Sequence, residues 1–149
     1  MSPEPTKDKS LIGAAGVHFV VSELSVRGLI TLPTIRNTAG TDVVVVSKDG
    51  NWHANLQVKT SRSKVKFWPI GTQYDSWVNK HNFYVFVRYL KEEARFEAFL
   101  ESSEKVAQWA NEYMKHEKDI GHAPWAPCWH LRDLGDRFRE QWHSFGSEQ

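Results

Sequence analysis

Asp42, Gln57 and Lys59 are polar side chains set in otherwise apolar stretches. Asp42 opens the run Val43-Val44-Val45-Val46, and Gln57 and Lys59 alternate with Leu56 and Val58. In a β-strand the side-chain period of two places Gln57 and Lys59 on one face. A carboxylate and an amide oxygen on neighbouring strands are hard ligands. Such ligands suit Mg²⁺, which keeps several waters and needs one or two protein groups beside a substrate phosphate. Lys59 could orient or deprotonate an attacking water, or stabilise charge on the phosphate. Together the three would make a site for phosphodiester hydrolysis. The same alternation also arises in a sheet with one wet face, so the residues alone leave both readings open.

The elements that must position them follow from periodicity. Ser10 to Val26 reads as a helix capped by Ser10, with Ile12, Ala15, Phe19, Val20 and Leu24 at helical spacing. Gly13-Ala14-Ala15-Gly16 keeps one end slim, for close packing on a sheet. Leu29 to Leu32 is a short strand, and the loop from Thr34 to Gly40 delivers Asp42. Asp49-Gly50 marks a hairpin between the valine strand and a return strand from Trp52 to Thr60. Gln73 to Lys80 reads as a short helix with Trp77 inward. Phe83 to Tyr89 is a strand apolar on both faces, paired with Arg95 to Leu100. A helix capped by Ser102 or Ser103 carries Val106, Trp109, Ala110, Tyr113 and Met114 on one side and ends at Gly121. A last helix spans about 131–143, burying Leu134, Phe138 and Trp142. The order predicts a mixed α/β layer with a hairpin at its centre and a C-terminal helical pair. Residues 1–9 read as a flexible tail and 10–149 as one domain, with a core over about 10–101 and C-terminal helices over about 102–145.

Composition narrows the setting. The 149 residues are 40% apolar and 25% charged, ordinary for a soluble domain with a real core. One cysteine, Cys128, excludes an intramolecular disulfide and fits a reducing cytoplasm. No stretch approaches the roughly 20 apolar residues of a membrane span. The net charge of +1 conceals an asymmetry: residues 1–90 carry 11 Lys/Arg against 6 Asp/Glu, and residues 91–149 carry 8 against 12. The proposed site lies in the basic part, which would attract a polyanion. Arg62, Lys64 and Lys66 alternate and, if extended, would share a face as a phosphate track.

The run Gly40-Thr41-Asp42, then Gln57-Val58-Lys59, resembles the PD-(D/E)XK nuclease superfamily, the restriction-endonuclease-like fold. The likeness extends to a group of small bacterial proteins of that superfamily. It passes through Ala15-Gly16-Val17, Ser22-Glu23-Leu24, Arg36-Asn37-Thr38-Ala39-Gly40-Thr41-Asp42 and Phe83-Tyr84-Val85-Phe86-Val87. It implies a metal-dependent endonuclease with Asp42 as metal ligand, Gln57 in the second-carboxylate position, Lys59 as catalytic lysine and Glu23 as a helix-borne acid. Arg36, Arg62, Lys64 and Lys66 would contact nucleic acid, DNA in preference to RNA. The metal, Mg²⁺ or Mn²⁺, would be weakly bound. The oligomeric state stays open, a homodimer among the options. Three positions depart from the pattern: Thr41 precedes Asp42 where proline is usual, Gln57 replaces an acid, and Val17 follows Gly16 where the first-helix acid often stands. Gln57 contributes no charge, which keeps a second function in play: an inactive nucleic-acid-binding or protein-interaction module on the same fold.

Weaker constellations are few. His116, His122, Cys128 and His130 match no zinc spacing with a mechanism. Ser61 and Ser63 lack a nucleophile-elbow context. Trp68, Trp125 and Trp129 could stack on bases, though core or lid packing is the commoner use.

Overall fold

The computed structural model describes residues 4–35, 40–62, 64–131, 142 and 145. Its first element, α1 (Lys9–Val26), starts one residue before Ser10 because Asp8 is the cap: Asp8 Oδ1 accepts from the Ser10 and Leu11 amides at 2.8 and 3.3 Å. Ile12, Gly16, Val20 and Leu24 recur every fourth residue as its buried stripe. Gly16 is required there. A Cβ at that position would lie 1.9 Å from Thr60 Oγ1, so only glycine lets the helix sit this close to the sheet.

The strands β1 (Ile30–Pro33), β2 (Val43–Val46), β3 (His53–Arg62), β5 (Asn82–Leu90) and β6 (Arg95–Ser102) form one mixed sheet in the order β1-β2-β3-β5-β6. Neighbours are antiparallel except β3 and β5, which run parallel with Gln57 beside Tyr84 and Lys59 beside Phe86. The expected central hairpin is present: β2 and β3 pair Val43 with Leu56, and the Ser47 amide donates to the Trp52 carbonyl at 2.9 Å to close the turn. Alternation along β5 makes two cores. Val85 and Val87 join Val20, Leu24, Val43 and Leu56 on the α1 side. Tyr84 and Phe86 join Trp68, Phe99, Val106 and Trp129 on the other side, under α2 (Ser103–Asp119). Ser102 caps α2, its hydroxyl accepting from the Lys105 amide at 3.3 Å. Burial on both faces explains the apolar β5 run, each large side chain contributing about 1.5–3 kcal/mol.

Three features depart from expectation. Residues 73–80 form turns, not a helix. Local side-chain bonds compete with helical ones there: Asn79 Oδ1 accepts from the His81 amide at 2.9 Å, and Asn82 Nδ2 donates to the Trp77 carbonyl at 2.7 Å. A second, two-stranded sheet pairs β4 (Phe67–Pro69) with β7 (Cys128–His130), setting Trp68 opposite Trp129. Each strand has three residues, too short for an alternation to announce it. The helix expected over 131–143 lies mostly outside the described residues. Trp142 and Phe145 are described, and both are buried on the α1-side core against Phe19, Trp52 and Phe83. Among the described residues no helix is long and apolar enough to cross a membrane.

Candidate functional site

The ten residues of β3 outrun the four of β2, which covers only 53–56, so β3 continues past its partner from Gln57 onward. Asp42 sits at that step. Its amide donates to the Leu56 carbonyl at 2.8 Å, while its own carbonyl is taken by the Thr34 amide at 2.9 Å on the β1 side. With the main-chain acceptor turned away, the carboxylate completes the ladder: Oδ2 accepts from the Val58 amide at 2.7 Å.

Gln57 and Lys59 share a face of β3, as the alternation predicts, but they border different spaces. Asp42 lines a cleft of about 560 Å³ with the N-terminal half of α1 and the start of the loop after β1. Lys59 lines a second cavity of about 390 Å³ with Lys9, Arg62 and Trp68. Gln57 lines a third, of about 420 Å³, with Gly40, Trp77 and Tyr84. Val58 and Lys9 border both of the first two, so Asp42 and Lys59 line adjoining spaces where β3 runs on past β2. Burial pushes the Lys59 ammonium below the usual lysine range, and the negative charge of Asp42 pulls the other way.

Glu23 stands apart. Its carboxylate binds Arg27 Nη1 at 2.7 Å, Arg27 also reaches the Glu23 carbonyl at 2.6 Å, and Glu23 lines none of the three cavities. Helix geometry is the reason. The α1 residues facing Asp42 end at His18, and Glu23 is five residues further, about 7.5 Å along the axis. In its place α1 presents Lys9 and His18, which sequence reasoning overlooked. The available signal was the four-residue spacing of Ser10, Ala14 and His18, with small residues leaving room; a Cβ on neighbouring Gly13 would meet nothing within 4 Å.

The basic segment is not an extended track. The Val65 amide donates to the Arg62 carbonyl at 2.8 Å, a turn that takes Lys64 and Lys66 off the line of β3. Arg62, Lys64 and Lys66 are exposed, and Arg62 and Lys64 line one shallow cavity with Lys7 and Lys91. Arg36 lies outside the described residues. Trp68 and Trp129 are core residues, and Trp125 is exposed. Among the described residues no group of three or more His, Cys, Asp or Glu is placed to hold a metal ion, which leaves the His116, His122, Cys128 and His130 set without support. His122 instead pairs with Glu117 at 2.7 Å.

No family model matches the chain, and no curated protein is similar enough in sequence to be matched. A solved bacterial homing endonuclease, I-Ssp6803I, has a similar fold. The alignment covers 93% of this chain and 91% of that one, with a TM-score of 0.54 and 15% identity. At that identity the likeness concerns the fold alone, a mixed α/β layer.

Proposed function

We propose that the chain is a metal-dependent nuclease of the PD-(D/E)XK type that hydrolyses phosphodiester bonds in DNA. The observation that carries this reading is at the β2–β3 step: the Asp42 carboxylate is anchored on the Val58 amide, and the buried Lys59 lines the adjoining cavity, with Val58 and Lys9 bordering both. The likeness to a homing endonuclease fold supports it. Val58 occupies one carboxylate oxygen of Asp42, leaving Oδ1 as the hard donor toward the cleft, while Gln57 borders a separate cavity. A single carboxylate oxygen suits Mg²⁺ or Mn²⁺ held weakly with most of its waters. Such an ion would supply Lewis-acid polarisation of a phosphoryl oxygen. Lys59, its charged form disfavoured by burial, would take a proton from the attacking water or stand against phosphate charge. His18, which lines the same cleft as Asp42, would pass a proton to solvent or to the leaving oxygen. Arg62, Lys64 and Lys66, with Arg36, would hold flanking phosphates.

The test is cleavage of labelled single- and double-stranded DNA and RNA with Mg²⁺ or Mn²⁺. Lys59→Ala should slow cleavage about 10²–10⁴-fold, and Asp42→Ala at least as much. Equal rates in wild type and both variants would sink the nuclease reading. Gln57 favours one rival, a binding module without activity. Salt-sensitive DNA binding with no cleavage under either metal would establish that rival instead.

A further inference from the structure

The cavity beside Gln57 differs in chemistry from its neighbours. The Asp42 cleft includes Lys9 and His18, and the second cavity includes Lys59 and Arg62. No lining residue of the Gln57 cavity is ionised at neutral pH: burial raises the Tyr84 phenol to about 12, so its hydroxyl keeps its proton. At about 420 Å³ it is within the range of small-molecule sites, about 300–1,000 Å³. Trp77 and Tyr84 meet edge to face, ring centres 5.0 Å apart at 75°, giving the space aromatic surface at two orientations. Gln57 and Gln73 each bring a carboxamide with two donors and an acceptor.

The aromatic wall is built in. Asn82 Nδ2 holds the Trp77 carbonyl at 2.7 Å, and the indole rests on Gly40. A Cβ on Gly40 would fall 2.7 Å from Trp77 Nε1, and its φ of +76° is one that glycine adopts without strain. Ser76 Oγ donates to the Gln73 carbonyl at 2.9 Å and lies 3.2 Å from Gln73 Oε1, steadying the amide at the rim. Gly40 is two residues from Asp42, and Gln57 is two residues, about 6.6 Å, from Lys59. That step is comparable to the reach from a phosphate to its own base.

We propose that this cavity receives one unstacked nucleobase of the bound strand, stacked on Trp77 and read by the Gln57 and Gln73 amides. The inference rests on the nuclease reading and adds to it a substrate class, a strand with a base free of its stack: single-stranded, mismatched or extruded. A uniform, fully stacked duplex would leave the cavity empty.

The experiment is an abasic scan in metal-free buffer, so that nothing depends on cleavage. A single-stranded oligonucleotide is bound with each base removed in turn, using wild type, Trp77→Ala and the exposed-rim variant Gln73→Ala. Removing the base at one position should weaken wild-type binding about 5- to 150-fold, the usual worth of one stacked base. The same removal should cost the Trp77→Ala protein under twofold, and the Gln73→Ala protein less than it costs wild type. A flat scan, a loss that persists unchanged in both variants, or no strand binding at all overturns the proposal. Free deoxynucleosides binding with Trp77 dependence while the scan is flat would give the cavity to a free nucleoside, and that too overturns it. Cleavage with a flat scan removes only the base site. A positional loss without cleavage under any metal removes only the nuclease reading.

Discussion

Lys59 carries opposing influences that set both its chemistry and its cost. Burial disfavours its charge, and Asp42 restores part of it. The folded-state pKa lies below the unfolded one, so between the two the unfolded chain binds more protons. Stability therefore rises with pH across a window that ends near the unfolded lysine value. Lys59→Met should raise the melting temperature at pH 7 and flatten that alkaline rise, which thermal unfolding from pH 6 to 10.5 would reveal. A variant no more stable than wild type at pH 7 would show that burial is not what shifts Lys59. The shared face of Gln57 and Lys59 was legible in the sequence because a period of two is unambiguous once a strand is recognised. Glu23 and His18 were not, because spacing along a helix does not say which stretch of that helix faces the sheet's end. Only the depth at which α1 crosses β3 decides that, and the Gly16–Thr60 contact sets it.

That contact belongs to the scale of elements. Thr60 Oγ1 is buried without a hydrogen-bond partner, directly beneath Gly16. Gly16→Ala should cost about 1–3 kcal/mol by overpacking. Thr60→Ala should recover most of this, since it removes the hydroxyl the new methyl would strike. Urea unfolding of both single variants and the double variant gives the coupling. Additive losses would mean that the helix simply lifts away. The long strands and both N-terminal helix boundaries were readable within a residue or two, because each had a cap or a run of apolar residues. The turn-rich stretch at 73–80 was not, since its conformation comes from Asn79 and Asn82 bonding their own backbone neighbourhood. The β4–β7 pair was equally hidden, being held by tryptophans that meet across a long sequence gap.

For the molecule as a whole, charge and sheet organisation coincide. The positive excess lies in residues 1–90, which include β1 to β5. On β6, Glu97 is 1% exposed and binds Arg88 of β5 at 2.6 Å, an acid spent inside the fold. If Lys64 contacts a phosphate, Lys64→Ala should weaken DNA binding alike for all sequences and reduce the slope of log affinity against log salt by about 1. Titration by fluorescence anisotropy from about 50 to about 200 mM salt measures this; an unchanged slope would place the phosphates elsewhere.

The length by which β3 exceeds β2 has a consequence for the protein before any substrate arrives. A strand edge without a neighbour offers its backbone to any extended chain, including another copy of itself. Asp42 satisfies one of those donors with its carboxylate, and Lys59, Arg62 and Lys64 bring charge to the stretch beyond. Residues proposed for catalysis and phosphate binding would thus also act as guards against self-association. Neutralising Asp42 and Lys59 together would then leave a folded chain with a stickier edge, one that turns turbid in concentrated solution sooner than the wild-type protein does.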